Sequence, residues 1–488
     1  MACSDEQRPL HLLFFPFIAP GHLIPVADMA ALFASRGVKC SILTTPANAA
    51  VIRLAIDRAN AVLRGAVPAI DISTVPFPDV GLPPGVESAV GVNTDAERDM
   101  MLEAVNQLRE PFARFLADRR PDAAVADSFY PWAADTAAEH GVPRLCFLGT
   151  SMFARACHDS LLRNIPPEDL IAADDDPDAI VSLPGLPHRV EQRRGQVMDP
   201  KRNAPEWSFD KLANDADRRS YGEVFNSFAD LEPAYVEYYR TVLGRRVWLV
   251  GPVAHASEGS SASGLAPEAE RCLRWLDGKP DGSVVYVSFG TLARFTVAEL
   301  RELARGLQRS GRNFLWVIDG GDTDASEWMP EGFEELVGPE GCGLIFREWA
   351  PQRHILNHSA IGGFVTHCGW NSVLEAVSSG VPLVTWPRYS DQFYNEKLIV
   401  EVLKVGVGVG SAFFASKLEV RGEVISSEKI AEGIDGVMGD GEEAEAIRKK
   451  ALELREKARS ATEKGGSSYE DVGRLINELM ARRSNVNT

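Results

Sequence analysis

Short apolar runs alternate with segments of helical periodicity along two separate parts of this 488-residue chain. In the first part, residues 12–17 form an apolar run, residues 23–35 have apolar positions at helical spacing, and residues 39–43 resume an extended pattern. The alternation restarts with a strand pattern at 283–288, a helical pattern at 297–310 and a strand pattern at 313–318. Consecutive strand–helix–strand units imply parallel sheets with right-handed crossovers. The sequence therefore predicts an α/β protein with doubly wound sheets.

A stretch rich in Ser, Gly and Ala separates the two parts. It covers residues 251–267, and this composition is typical of linkers. The chain is also too long for one ordinary core. We therefore predict an N-terminal domain over residues 1–250, a linker over 251–267 and a C-terminal domain from residue 268, with a cleft between the domains.

The charge and cysteine content exclude several function classes. The chain has 69 acidic and 51 basic residues, a formal net charge of −18, which disfavours binding to nucleic acid or anionic membranes. Its seven cysteines are scattered without CxxC spacing, which disfavours metal and disulfide frameworks and indicates a reducing compartment. The apolar run at 12–18 is too short to span a bilayer. We expect a cytoplasmic monomer that does not insert into membranes.

The segment from residue 361 to 376 combines a strand, a tight turn and a helix that is predicted to start near Asn371. The free N–H groups and the positive dipole end of such a helix attract anions. His367, Asn371 and Ser372 add side-chain donors at the same end, and Glu375 lies one helical turn deeper, where a carboxylate suits sugar hydroxyls. By itself, the segment fits an ordinary capped strand–turn–helix equally well.

Residues on either side of this segment favour a nucleotide-sugar site. Upstream, Trp349 lies in a predicted loop next to Ala350 and Gln352, and an aromatic face there could stack on a base. Downstream, Asp391 and Gln392 stand at the start of the next predicted helix. The features needed for a base, a diphosphate, a ribose and a sugar thus follow one another along the chain.

Residues 349–392 resemble the donor-binding box of plant family 1 UDP-glycosyltransferases, the enzymes of plant secondary metabolism. The APQ, HCGWNS-x-x-E and DQ elements of that box are all present, and the likeness extends to the FFPF…GH opening and to residues 272–291. The resemblance implies a GT-B fold of two Rossmann-like domains. It also implies that the N-terminal half binds the acceptor, that residues 268–470 bind the UDP-sugar, and that a final helix over 471–488 returns to the first domain.

The resemblance also implies roles for the residues of the box. Trp349 would stack on uracil, Ala350 and Gln352 would meet its edge or the ribose, and Glu375 would hold the ribose hydroxyls. The diphosphate and the sugar would be held by two further groups, which are His367, Asn371, Ser372, Ser288 and Thr291 for the diphosphate and Trp370, Asp391 and Gln392 for the sugar. Gln392 together with Trp370 resembles the pattern of glucose users, so UDP-glucose is the expected co-substrate. Residues 388–390 depart from the smaller or apolar residues of many relatives.

His22 and Asp127 each follow or end a predicted strand, where an open α/β sheet faces its ligand. A histidine oriented by a carboxylate can remove a hydroxyl proton, although such residues are more often structural. The resemblance implies that His22 is the catalytic base and Asp127 its partner. It further implies an inverting transfer that needs no metal or other cofactor.

The acceptor is expected to be small and lipophilic, such as a flavonoid, another phenol or a terpenoid. The candidate pocket residues are Phe17, Phe129, Thr150 and Met152, and each of them could equally belong to the core. Three alternatives remain at this point: a different UDP-sugar, C-glycosylation, and a protein that binds nucleotide-sugars without turnover.

Overall fold

A computed structural model describes residues 8–63, 69–172, 176–257, 267–318, 325–338, 341–415 and 424–486. The chain packs as two compact units. The N-terminal unit comprises Met1–Met152, Ala204–Ser260 and Arg459–Thr488, and the C-terminal unit comprises Phe153–Asn203 and Ser261–Ala458.

The β-strands of the described residues have the following bounds. They are β1 (His11–Phe15), β2 (Lys39–Thr44), β3 (Asp71–Thr74), β4 (Ala123–Asp127), β5 (Arg144–Phe147), β6 (Ile180–Leu183), β7 (Val190–Arg193), β8 (Gly222–Phe225), β9 (Val247–Leu249), β10 (Val284–Ser288), β11 (Asn313–Val317), β12 (Gly343–Phe346), β13 (Ile361–Thr366), β14 (Leu383–Thr385) and β15 (Gly406–Gly408).

The helices lie between and after these strands. They are α1 (Pro20–Ser35), α2 (Pro46–Val62), α3 (Asp95–Gln107), α4 (Arg109–Arg119), α5 (Ala133–Glu139), α6 (Met152–Asn164), α7 (Pro167–Ala172), α8 (Ala204–Arg218), α9 (Pro233–Glu237), α10 (Pro267–Asp277), α11 (Val297–Ser310), α12 (Ala325–Trp328), α13 (Phe333–Leu336), α14 (Gln352–Leu356), α15 (Trp370–Ser379), α16 (Gln392–Lys397), α17 (Ser427–Met438), α18 (Glu442–Thr462) and α19 (Ser467–Val486). Short 3-10 or π turns occur at Ala89–Gly91, Arg194–Gln196, Tyr238–Val242, Val253–Ser257 and Leu398–Leu403.

The N-terminal unit is built on a parallel sheet with the strand order β3-β2-β1-β4-β5-β8-β9. Strands β1 and β4 are buried along their whole length because helices cover both faces of the sheet. Leu12 and Phe14 of β1 pack on one face with α1, whereas Leu13 and Phe15 pack on the other. The C-terminal helix α19 adds Val472 to the first of these cores, together with Leu475 and Leu479.

The C-terminal unit has a second parallel sheet, ordered β12-β11-β10-β13-β14-β15. Local sequence signals explain its helices: α11 begins with a capping box between Thr296 and Glu299 and ends at Gly311, which has a left-handed φ of 63°. In both sheets the strand order reverses at one place, between β1 and β4 or between β10 and β13. The prediction of an α/β fold with two doubly wound sheets is confirmed.

Residues 153–203 pack with the C-terminal unit, although the sequence places them in the N-terminal domain. The cause is a set of hydrogen bonds from the antiparallel β6–β7 pair and the turn after it. Gln192 Nε2 donates to the Phe393 carbonyl at 3.2 Å, Gln196 Nε2 to the Ser411 carbonyl at 2.9 Å, and Phe414 N–H to the Gly195 carbonyl at 2.6 Å. Residues 459–470 likewise pack with the N-terminal unit. The other domain bounds remain predictions.

The predictions of a linker and of a chain that does not insert into membranes can be compared with the described residues. Most of the predicted linker, residues 258–266, lies outside them. Among the described helices, none is both long enough and apolar enough to cross a bilayer.

Candidate active site

The N-terminal unit brings His22 and Asp127 together where its strand order reverses. Asp127 is the last residue of β4, and His22 lies in the first turn of α1, just after β1. In open α/β sheets, ligands bind outside the carboxyl ends of the strands at such a reversal. Pro20 is the first residue of α1, where the backbone N–H would have no acceptor within the helix and the fixed φ of proline suits helical geometry. The helix therefore starts two residues before His22.

His22 Nδ1 lies 2.7 Å from Asp127 Oδ2. The Asp127 side chain is completely buried, whereas that of His22 is 19% exposed. The other carboxylate oxygen, Oδ1, accepts a hydrogen bond from the Phe129 N–H at 3.0 Å. With Nδ1–H donating to the carboxylate, the lone pair of the imidazole is on Nε2, as a general base requires.

A buried ion pair holds the main chain around Asp127. The Arg144 guanidinium donates to the Asp127 carbonyl at 3.0 Å and to Asp217 Oδ1 at 2.9 Å. Ser128 Oγ donates to the other oxygen of Asp217 at 2.6 Å. Arg144 and Asp217 are both almost fully buried. Neither residue is predictable from the sequence pattern, because only tertiary structure brings β5 and α8 next to the end of β4.

Aromatic rings surround His22. Phe17 and Phe129 approach its imidazole edge-on, with ring centroids 5.6 and 5.4 Å away. Phe209 of α8, also missed in the sequence, stacks on Phe129 at 5.8 Å. Of the other predicted pocket residues, Thr150 is 5% exposed and Met152 is fully buried. Phe17 and Phe129 are half-buried and are therefore the ones that offer apolar surface beside the imidazole.

The predicted anion turn of the C-terminal unit also lies at a reversal of strand order. It joins β13 to α15 beside the end of β10, where Ser288 and Thr366 are in register. Within the turn, Cys368 has a left-handed φ of 66°, a conformation that is unfavourable for a residue with a side chain. Helix α15 begins at Trp370, one residue before the predicted start, and no side chain caps it. The first N–H groups of any helix have no acceptor within the helix itself, so this end of α15 is suited to an anion.

His367 lies in this turn, and its imidazole packs closely against Gly290 and Gly369. A Cβ atom on Gly290 would be 3.0 Å from the imidazole Cε1, and one on Gly369 would be 2.5 Å from Nε2, so only glycine allows this approach. His367 Nδ1 is buried and has no hydrogen-bond partner among the described residues. Burial lowers the pKa of His367 from 6.5 to about 4, so its imidazole is neutral at physiological pH.

Three of the predicted donor residues form one hydrogen-bonded cluster. Gln352 Nε2 donates to Ser372 Oγ at 3.0 Å and to Glu375 Oε2 at 2.7 Å. Two residues missed in the sequence complete the cluster: Tyr286 OH donates to Gln352 Oε1 at 3.2 Å, and Arg353 Nε donates to Glu375 Oε1 at 3.3 Å.

Other predicted donor-binding residues of the C-terminal unit differ in exposure. Trp349 is 64% exposed, which is unusual for so large an apolar side chain. Ala350 and Asn371 are half-buried, Thr291 is exposed, and Trp370 is buried.

The predicted sugar residues lie between β14 and α16. Gln392 is buried, and its Oε1 accepts hydrogen bonds from the N–H groups of Arg388 and Tyr389 at 2.9 and 3.1 Å. The amide is thereby oriented with Nε2 as the group that can donate to a ligand. Asp391 Oδ2 accepts a hydrogen bond from Asn395 Nδ2 at 3.0 Å.

Comparisons with known proteins identify the family of this chain. The family described as "UDP-glucoronosyl and UDP-glucosyl transferase" matches residues 260–426. The scopoletin glucosyltransferase of Nicotiana tabacum is 43% identical over 480 residues, which cover 96% of this chain and 98% of that protein.

Two crystal structures extend the likeness to the whole fold. A Glycyrrhiza uralensis UGT complexed with glycyrrhetinic acid 3-O-monoglucuronide is 38% identical, with a TM-score of 0.88 and 98% of both chains covered. A Medicago truncatula UGT complexed with UDP-glucose is 27% identical, with a TM-score of 0.80 over 98% of this chain and 100% of that one. The prediction of the GT-B fold class is confirmed. The chain therefore belongs to the plant family 1 UDP-glycosyltransferases and is a UDP-glycosyltransferase.

Proposed function

We propose that this enzyme transfers glucose from UDP-glucose to a hydroxyl group of a small lipophilic acceptor and inverts the anomeric configuration. The observation that carries the proposal is the 2.7 Å contact between His22 Nδ1 and the fully buried carboxylate of Asp127. A protein that only binds nucleotide-sugars has no need of such a pair.

His22 would act as the general base. Its Nε2 takes the proton from the acceptor hydroxyl while the oxygen attacks the anomeric carbon from the side opposite UDP. Asp127 keeps the proton on Nδ1 and stabilises the imidazolium that forms. Because Arg144 holds the Asp127 carbonyl at 3.0 Å, the carboxylate stays in place when the imidazole becomes charged.

The C-terminal unit would bind the donor. The exposed face of Trp349 stacks on uracil, next to Ala350 and Gln352, and the Glu375 carboxylate accepts hydrogen bonds from the ribose hydroxyls.

The diphosphate would bind at the N-terminus of α15. The buried Nδ1 of the neutral His367 imidazole has no hydrogen-bond partner within the described ranges, which supports this assignment. The side chains expected to assist it are Ser288, Thr291, Asn371 and Ser372. Donors at this position stabilise the charge that develops on the leaving UDP.

The sugar would be held by Trp370, Asp391 and Gln392. Because the Gln392 carbonyl oxygen is occupied by two main-chain N–H groups, its amide donates to a sugar oxygen through Nε2. Asp391 accepts hydrogen bonds from sugar hydroxyls.

The acceptor would be a phenol such as a flavonoid or coumarin, or a terpenoid. Phe17 and Phe129 offer apolar surface beside His22, and the buried Thr150 and Met152 are the other expected pocket residues. Two relatives support this class, since one is a scopoletin glucosyltransferase and the other is complexed with glycyrrhetinic acid 3-O-monoglucuronide.

We expect the enzyme to work as a cytoplasmic monomer without a metal or other cofactor. The scattered cysteines, none of them in CxxC spacing, support the cytoplasm. No cluster of three or more metal-binding side chains occurs within the described ranges.

The test is product formation from UDP-glucose with a panel of flavonoids, coumarins and terpenoid alcohols, measured by mass spectrometry. The wild type should form a hexoside with at least one acceptor class, and NMR should show the β-anomer. His22→Ala should lose the product, whereas His140→Ala, which removes an exposed histidine of the same unit, should retain it. An α-anomer, or full activity of His22→Ala, would contradict the mechanism. UDP binding without product from any acceptor would favour the binding-only alternative.

A further inference from the structure

Asn395 is a completely buried residue in the fourth position of α16. Its side-chain amide donates to two different segments: Nδ2 lies 2.9 Å from the Cys368 carbonyl and 3.0 Å from Asp391 Oδ2. One NH₂ group thus connects the turn after β13 with the carboxylate at the start of α16. A buried amide normally makes hydrogen bonds, and a single nearby acceptor segment could satisfy it. The Asn395 amide instead joins two separate segments.

The contact with Cys368 determines the direction of a neighbouring N–H group. In a trans peptide, the carbonyl of one residue and the N–H of the next point in opposite directions. When Asn395 holds the Cys368 carbonyl, the Gly369 N–H therefore points away from Asn395 within the same peptide plane. No hydrogen bond joins that N–H to any residue in the described part of the chain. Gly369 immediately precedes the first residue of α15, where the diphosphate is expected.

The same contact stabilises an unfavourable backbone conformation. Cys368 has φ of 66°, which a residue with a side chain adopts only when its surroundings impose it. The Cys368 N–H is held at 3.3 Å by Thr366 Oγ1, and its carbonyl is held by Asn395. Without the second bond, we expect the 368–369 peptide to rotate towards a commoner conformation and to turn the Gly369 N–H away.

The contact with Asp391 fixes the position of the Asp391 carboxylate. The Asn395 N–H donates to the Asp391 carbonyl at 2.9 Å while its side chain donates to the Asp391 carboxylate. The carboxylate is thereby held against the first turn of α16, next to Gln392. A rotation of Asp391 therefore disturbs the amide that also holds the Cys368 turn.

We propose that Asn395 is a positioning residue for glycosyl transfer, which sets the diphosphate turn and the sugar-binding carboxylate in register with each other. The inference rests on the proposed function, because it takes the Cys368–Trp370 turn as the diphosphate site and Asp391 as a sugar ligand. Asn395 itself touches neither group. Its action is to keep the N–H that faces the leaving phosphate and the carboxylate that faces the sugar at a constant separation.

The test compares UDP with uridine, which has the base and ribose but no phosphate. We would measure UDP binding by calorimetry and uridine binding by ligand-observed NMR, for wild type, Asn395→Ala and the isosteric Asn395→Asp. Asn313→Ala is the matched control, because Asn313 Nδ2 also donates one hydrogen bond, to Ser283 Oγ at 3.2 Å, but lies at the amino end of β11.

Both Asn395 variants should bind UDP about tenfold more weakly while uridine affinity changes by less than about twofold. Their kcat/KM for UDP-glucose should fall further than their UDP affinity, since Asp391 is also released. The control should change none of these quantities. Equal losses of UDP and uridine affinity, or no loss of UDP affinity, would overturn the inference. If Asn395→Ala does not fold, Asn395→Asp, which keeps the size of the side chain, gives the same comparison. A wild type that does not bind UDP would instead refute the proposed function, and this inference with it.

Discussion

A buried ion pair behind the sugar residues allows a quantitative prediction of stability. Arg388 donates to Glu299 Oε1 at 2.6 Å, and the two side chains are 8% and 0% exposed. The guanidinium also donates to the Arg294 carbonyl at 3.0 Å and lies 4.5 Å from the centroid of the Phe295 ring. The other oxygen of Glu299 completes the capping box of α11. The perturbation that we consider is Arg388→Met, which removes the charge but retains an apolar side chain.

The expected loss of stability follows from the unpaired carboxylate that Arg388→Met leaves in the interior. Glu299 Oε1 remains in the interior without its cationic donor, and removing one partner of a buried pair lowers the free energy of unfolding by about 3–5 kcal/mol. At about 2–4 °C per kcal/mol for a domain of this size class, the melting temperature of the C-terminal unit should fall by roughly 6–20 °C. Arg388→Met/Glu299→Gln removes both charges, so it should be more stable than the sum of the single changes by about 2 kcal/mol.

The assay is urea unfolding of wild type, Arg388→Met, Glu299→Gln and the double variant. Tryptophan fluorescence follows the unfolding, and six of the nine tryptophans lie in the C-terminal unit. Arg305→Met is the matched control, because Arg305 pairs with Glu302 at the surface and is 50% exposed. Its free energy of unfolding should change by less than about 1 kcal/mol. A decrease in the free energy of unfolding of less than about 1 kcal/mol for Arg388→Met would refute the reasoning. The same holds if the changes of the two single variants simply add up in the double variant.

Three further predictions concern catalysis, binding and pH. Asp127→Asn should lower kcat about 10²–10⁴-fold in steady-state assays because the His22 imidazole loses the carboxylate that orients it, and an unchanged kcat would contradict that role. Trp349→Ala should weaken UDP binding by about 1–3 kcal/mol in calorimetry, and equal affinity would exclude stacking on this ring. Burial raises the pKa of Glu396 from 4.5 to about 7, so the native state binds the proton more tightly than the unfolded state. Its contribution to stability is complete below pH 4.5 and is lost as the pH rises through 7, by at most about 3 kcal/mol. Glu396→Gln should therefore be stabilised relative to wild type at pH 8 but not at pH 4.5, and parallel pH profiles of unfolding would contradict this.

Local patterns in the sequence predict much of the fold. The apolar run at 12–17 becomes β1, and the turn after residue 366 leads into α15 within one residue of the predicted start. These elements follow from signals a few residues apart, such as Pro20 at the first position of α1. The alternation of strands and helices then leaves few topologies for the sheets.

The supporting contacts could not be predicted in the same way. Arg144 lies 17 residues from the Asp127 carbonyl that it holds, and Asn395 lies 27 residues from the Cys368 carbonyl. Such pairs depend on how the elements pack and not on local spacing. The assignment of residues 153–203 to the N-terminal domain fails for a related reason, since hydrogen bonds such as that from Gln192 to Phe393 leave no local pattern in the sequence.

The central claim is that His22 removes the proton of the acceptor hydroxyl, and the measurement that tests it most directly varies the acceptor. We would compare kcat/KM of wild type and His22→Ala for two phenols: one that is protonated at the assay pH and one, such as a trichlorophenol, that is already ionised. The account predicts that His22→Ala loses about 10²–10⁴-fold with the protonated phenol and far less with the ionised one, which needs no base. Equal losses with both acceptors would contradict the assignment of His22 as the base.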